Sequence, residues 1–278
     1  MLFQDFGCIL GSAAKIAMSA AVNNVNVENG GAAEATPGTS NVHDADTNPK
    51  DDAELDAMEE EEHFAKVIAV FKNYGHHALR DLKRDMLIYM ELPERQKRML
   101  YPSYPKHLAQ VKLLVRENHK LLQFMLTGIG QMFENSSHTL DEQNVDDSIA
   151  VSEFQMEKLQ SSLRQIVRDW SADGAIEREQ CYSPIITEID HRFSQVADRS
   201  AVRILVPGAG LSRLAWQFAK SGYTCQGNEF SLHMLFISNF ILNRCKQVNS
   251  FTIYPHLHQR SNSKCYARPV EADSVPRC

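Results

Sequence analysis

The sequence predicts an α/β fold, in which a mostly helical first part leads into the opening strands of a parallel sheet. Three observations carry this. Apolar residues recur at helical spacing through most of the first two hundred positions. A short β-branched run at 202–206 then ends in Pro207-Gly208. From there strand-like and helix-like segments alternate, as in a βαβα unit with right-handed crossovers.

Residues 1–58 read as a disordered arm. Between 20 and 60 the chain holds Asn, Gly, Ala, Thr, Asp and Glu and almost no large apolar residue, so burial cannot offset the entropy of ordering. The acidic run DDAELDAMEEEEHF closes the arm and opens a helix, where carboxylates favour the positive end of the dipole. The extreme N-terminus is only faintly signal-like: no basic residue precedes its apolar stretch, and Asp5 interrupts it.

The helical extension is placed at 59–195. Phe64, Val67, Ile68 and Phe71 begin a stripe that Leu79, Leu82, Met86 and Leu87 continue, with Gly75 as a weak point or a break between two helices. Leu92-Pro93 ends it. A second helix is expected over about 105–133, a polar loop over 135–147, a third helix over 152–170 and a fourth from about 176 through Ile189. Residues 202–206 then read as a strand buried on both faces, 211–221 as a helix closed by Gly222, 223–226 as a second strand, and Ser231 as the cap of a strongly apolar helix. Residues 196–260 thus form the start of a second domain, and 261–278 an irregular tail.

Composition narrows the function classes. The 278 residues carry 29 basic and 35 acidic side chains, a net charge of −6. A mildly acidic, evenly charged chain lacks the footprint of a general nucleic-acid binder. No stretch of about 18 apolar residues predicts a membrane span. The six cysteines form no CxxC pair, and the histidines show no ligand spacing with carboxylates, so no metal site is expected and the thiols read as free.

The chemistry concentrates at the strand-to-helix turn VPGAGLSR. Gly208 and Gly210 stand where the backbone leaves the first strand's carboxyl end, and glycine permits a tight turn and close approach of a ligand. Glu229 lies 21 residues after Gly208, at the end of the second strand. An acid at about that spacing accepts hydrogen bonds from ribose hydroxyls. A dinucleotide fingerprint would need glycine where Arg213 stands. An adenosyl ligand without phosphates fits better, and S-adenosylmethionine is that ligand.

The strings ILVPGAGLSRLAW, GYTCQGNEFS and SNFILNRC, with the upstream RQIVRDWSADG and CYSPII, resemble the carnosine N-methyltransferase family. The resemblance covers about 59–260, more loosely before the third helix, and leaves out the arm and the tail. It implies a Rossmann-like (class I) methyltransferase sheet behind a helical extension, and methyl transfer from S-adenosylmethionine to the imidazole of carnosine, giving anserine. It implies cofactor-binding roles for Gln165, Arg168, Gly208 and Glu229, with Arg168 pairing with the methionyl carboxylate. The family's later cofactor contacts and its dipeptide-binding residues have no counterpart among the strings recognised, so the catalytic residues stay unassigned and a C-terminally truncated form is the expectation, with an incomplete sheet and an apolar helix at 231–245 that lacks much of its cover. Carnosine-like dipeptide is the implied small-molecule substrate, a homo-oligomer or a full-length family member the implied protein partner, and cytoplasm, with nucleus second, the implied location. The competing reading is a non-catalytic form whose helical region binds a partner, with the half-sheet as a remnant.

Overall fold

A computed structural model describes residues 49–132, 149–245, 247, 249–258 and 273–275. The expected loop at 135–147 and all of the arm before residue 49 lie outside them. Seven α-helices and four strands occur among the described residues. The helical layer is α1 (Pro49–Glu91), α2 (Glu94–Leu100), α3 (Ser103–Leu126), α4 (Glu153–Trp170) and α5 (Ala175–Arg192). Next come β1 (Arg203–Pro207), α6 (Arg213–Lys220), β2 (Thr224–Asn228) and α7 (Leu232–Arg244), and finally β3 (Phe251–Ile253) and β4 (Asp273–Val275).

The helical layer follows the apolar periodicity, with three changes of boundary. The first helix begins at Pro49, so the arm does not extend to residue 58. It runs unbroken through Gly75, where the ring of His119 on α3 lies against the α-carbon and a β-carbon would come within 2.8 Å of it. Glycine there admits close packing of α1 on α3 rather than a hinge. The connector after Pro93 forms the separate short α2, and the next helix runs from Ser103 to Leu126. The start of α4 is the best formed: Ser152 and Gln155 make a reciprocal capping box.

β1 and β2 pair in parallel, Leu205 opposite Gln226 and Pro207 opposite Asn228. This order and direction match the predicted βαβ unit. The burial does not. Along β1 the side chains alternate between exposed and half-buried, and Leu205 is 55% exposed. Ile204 and Val206 face a small apolar cluster of Phe218, Tyr223 and Cys225, completed by Ile186 and Ile189 of α5. The strand is therefore half-buried, not buried on both faces: among the described residues it has one hydrogen-bonded neighbour and one covered face.

The apolar helix α7 corrects a second expectation, that it would lack cover. Leu232, Leu235, Phe236, Ile237, Phe240 and Ile241 are all buried. Phe236 stands 5.4 Å from Phe64 and 5.6 Å from Phe71, and Phe240 stands 5.0 Å from Phe251, ring centre to ring centre. The helical layer supplies the cover. Each such large side chain contributes roughly 1.5–3 kcal/mol by leaving water. One apolar cluster consequently runs from Phe64 through α3, α4 and α7 to Leu257.

The segment after α7 is tied down by a buried polar knot. Asn118 of α3 donates to the Tyr74 hydroxyl (3.0 Å) and to the Tyr254 carbonyl (2.9 Å), and accepts from the Tyr254 amide (2.9 Å). β3 pairs antiparallel with β4, so residues 273–275 of the expected irregular tail form a strand. No described helix is long and apolar enough to cross a membrane.

His233 sits in this core beside Phe71, its ring centre 6.1 Å away, with no partner for Nε2 among the described residues. Burial first, then the charges of Lys158 and His63, push its pKa down from 6.5 to about 4. The folded chain thus holds this ring neutral where the unfolded chain takes up a proton. Stability is complete above pH 6.5 and declines as pH falls toward 4, by on the order of 2–3 kcal/mol for this group. Burial lowers His63, His107 and His119 in the same direction. Urea unfolding between pH 7 and pH 4.5 should show this loss, and His233→Gln should make the slope shallower; an unchanged slope would refute the assignment.

Candidate cofactor site

The candidate site forms where β1 and β2 end. Gly208 and Gly210 both take positive φ, 60° and 56°, which reverses the chain within three residues at a conformation a β-carbon disfavours. The Ala209 amide donates to the Asn228 carbonyl (2.8 Å), laying the turn across the end of β2. Gly227 makes that possible, since a β-carbon there would lie 2.9 Å from that of Ala209. The turn brings Gly210 to Glu229: its amide donates to Oε2 at 2.7 Å. The Ser231 amide donates to the other oxygen at 2.8 Å.

Ser231 is therefore the N-cap residue of α7 by position, but its hydroxyl makes no cap bond. The carboxylate of Glu229 takes the helix-start amide instead. An ionised carboxylate has about four acceptor positions, so two remain after these bonds. A β-carbon built on Gly208 would meet nothing within 4 Å, so open space lies before the turn.

The two remaining predicted residues come from α4. Gln165 Oε1 stands 3.9 Å from where a β-carbon of Gly210 would be. Arg168 Nη2 donates to that same Oε1 at 3.5 Å, at the limit of a hydrogen bond. Gln165, Arg168, Gly210 and Glu229 are thus brought into one chain of contacts, with Gly208 beside it on the turn. The link is made by Trp170: its indole N–H donates to the Leu211 carbonyl at 3.0 Å, with both residues fully buried.

Sequence reasoning missed the surroundings of Arg168. Asp169 takes its guanidinium in a fork, Nε to Oδ1 at 2.9 Å and Nη2 to Oδ2 at 3.1 Å. The Tyr182 hydroxyl of α5 donates to Asp169 Oδ1 at 3.0 Å. Asp169's hydrogen bond is the main reason the Arg168 pKa rises above its usual value. Burial first, then Asp169's charge, pushes the Tyr182 phenol up to about 12. Arg178 Nη1 donates to the carbonyls of Arg168 (2.6 Å) and Ser171 (2.7 Å), closing the C-terminal end of α4. An adjacent Arg-Asp pair in sequence carries no sign that the two side chains will clasp each other; the only usable signal was an acid in an otherwise apolar helical stripe.

Arg213, in the third glycine's place of the fingerprint, also has a role that spacing did not reveal. Its guanidinium lies 4.9 Å from the Trp170 ring and 4.7 Å from the Trp216 ring. Such cation–π contacts strengthen when partly shielded from water. Burial lowers its pKa, and Arg178 adds to that. Among the described residues, no group of three or more His, Cys, Asp or Glu side chains could hold a metal ion. A cavity of about 200 Å³ lined by Asn73, Arg80 and Met156 lies away from the turn, and none of the predicted site residues lines it.

If Glu229 organises the turn, then Glu229→Ala should release the Gly210 and Ser231 amides. Their hydrogen-exchange protection should fall at least about tenfold, the equivalent of one modest hydrogen bond, while the α3 amides stay protected. Unchanged exchange at both amides would contradict the geometry.

The family model for carnosine N-methyltransferase matches residues 145–277. That span contains all five predicted site residues, and it runs on through the tail, where motif strings alone gave no resemblance. The carnosine N-methyltransferase of Mus musculus is 44% identical over 222 residues, 78% of this chain and 55% of that protein. Carnosine N-methyltransferase unmet of Drosophila melanogaster is 36% identical over 227 residues, 75% of this chain and 50% of the relative. The carnosine N-methyltransferase of Schizosaccharomyces pombe is 38% identical over 177 residues, 63% of this chain and 45% of the relative. The chain spans about half the length of the curated relatives it matches. By this match and these relatives, the chain is similar over most of its length to carnosine N-methyltransferases.

Proposed function

We propose that the chain carries the S-adenosylmethionine-binding part of an N-methyltransferase that acts on the imidazole of carnosine, giving anserine, or on a related histidine dipeptide. The observation behind this reading is the convergence at the strand ends. The Gly208–Gly210 turn, the Glu229 carboxylate bound to its Gly210 amide, and the Gln165-Arg168 pair of α4 meet at one point in the fold.

The residues fit the cofactor's chemistry. Glu229 keeps acceptor capacity for two ribose hydroxyls beyond its two backbone bonds. The open space at Gly208 lets a ligand approach the backbone. Arg168 would take the methionyl carboxylate in a charge-assisted bond. When bound, S-adenosylmethionine supplies an electrophilic methyl group on a sulfonium. The protein's own contribution is to hold cofactor and acceptor in line, which in a displacement of this kind supplies most of the acceleration. The acceptor imidazole must be neutral, because its protonated form has no nitrogen lone pair. The Rossmann-like assignment of the βαβα unit, the 196–260 boundary of the cofactor domain, a homo-oligomeric state and a cytoplasmic or nuclear location belong to this proposal too.

One observation favours a second reading, a partner-binding chain. At the end of α1, Met86, Leu87, Ile88 and Met90 are exposed, an apolar surface of the kind that marks contact sites.

Calorimetric titration of the 278-residue chain with S-adenosylmethionine, beside Glu229→Ala, tests the first reading. Saturable binding, weakened at least about tenfold in the variant, is the expected result. A folded chain that binds no cofactor would overturn it and leave the partner-binding reading in front.

A further inference from the structure

Arg168 reaches Asp169 against the geometry of the helix. Adjacent residues point about 100° apart around the axis. The Arg168 side chain nonetheless curls back to clasp its neighbour with both Nε and Nη2. The carboxylate it clasps is buried, with only 1% of Asp169 exposed. A buried carboxylate needs charge and hydrogen-bond partners, and Asp169 has the Arg168 fork and the Tyr182 hydroxyl. Tyr182 stands on α5, whose start is fixed to the end of α4 by the two Arg178 bonds. The clasp therefore has a rigid base.

That base decides which part of the guanidinium is left over. Its Nε–Nη2 edge is taken by Asp169, and the second Nη2 hydrogen points to Gln165 Oε1. Both Nη1 hydrogens lack a partner among the described residues, and 41% of the Arg168 side chain is exposed. A long, flexible side chain is thereby held with its donors aimed beforehand, and affinity rises when such ordering is done before binding. We propose that Asp169 and Tyr182 are positioning residues that hold Arg168 to receive the methionyl carboxylate of the cofactor. This rests on the cofactor reading above.

The test compares two ligands by calorimetry on the full chain. S-adenosylhomocysteine carries the amino-acid carboxylate; 5′-methylthioadenosine lacks it. Tyr182→Phe removes one hydrogen bond and keeps the ring, so it stays informative if the buried substitution Asp169→Asn fails to fold. The expected result is a loss of S-adenosylhomocysteine affinity of about fivefold in Tyr182→Phe and about tenfold or more in Asp169→Asn, with methylthioadenosine affinity unchanged. Equal weakening of both ligands would mean a structural role only and overturn the proposal, as would unchanged affinity for both. A wild-type chain that binds neither ligand fails the cofactor reading itself, and that failure shows before any variant is examined.

Discussion

Everything at the candidate site depends on the hydrogen bond from the Trp170 indole to the Leu211 carbonyl. Gln165 and Arg168 stand on α4 of the helical layer; Gly208, Gly210 and Glu229 stand around the turn of the βαβα unit. Nothing in the βαβ unit alone fixes how far these two sets lie from each other. Trp170 closes α4 and Leu211 follows the turn, and a bond between them at 3.0 Å in a fully buried place sets that distance. Arg213 reinforces it by lying against both Trp170 and Trp216, whose rings meet edge to face at 5.6 Å. A buried N–H without a partner costs about 1–3 kcal/mol, so this geometry resists slipping.

A second constraint acts from the opposite side. α7 is almost wholly apolar along its inner faces and needs cover. It takes that cover from α1, α3 and α4, and Arg244 at its end donates to the carbonyls of Phe124 (2.8 Å) and Thr127 (2.9 Å) around the C-terminal end of α3. The helical layer is therefore more than a leader to the sheet. Among the described residues it forms the larger part of the wall against which the βαβα unit packs, and its α5 also closes the small apolar cluster under β1, β2 and α6.

Sequence patterning revealed much of this and missed the rest for physical reasons. The order of elements, the parallel pair and the positions of the glycine turn and Glu229 follow from periodicity and spacing, which are local. The both-face burial expected for β1 failed because an apolar run such as VRILV does not say how many layers will cover it; Leu205 is exposed although nothing in its neighbours distinguishes it from Ile204. The cover of α7 was missed because its partner Phe64 lies more than 150 residues earlier in the chain. The clasp of Asp169, Arg168 and Tyr182 was invisible because it depends on the angle between two helices, and the stacking of Arg213 because it depends on where two tryptophans meet.

The central claim is that the helical layer and the βαβα unit fold as one body, since the site exists only at their junction. The chain's two tryptophans, Trp170 and Trp216, both lie at that junction. Tryptophan fluorescence therefore reports the junction, while far-ultraviolet circular dichroism reports the helices. Urea unfolding of the chain followed by both signals tests the claim directly. Coincident transitions with one midpoint are the predicted result. A fluorescence transition completed before the helices melt would show that the junction separates first, and would contradict it.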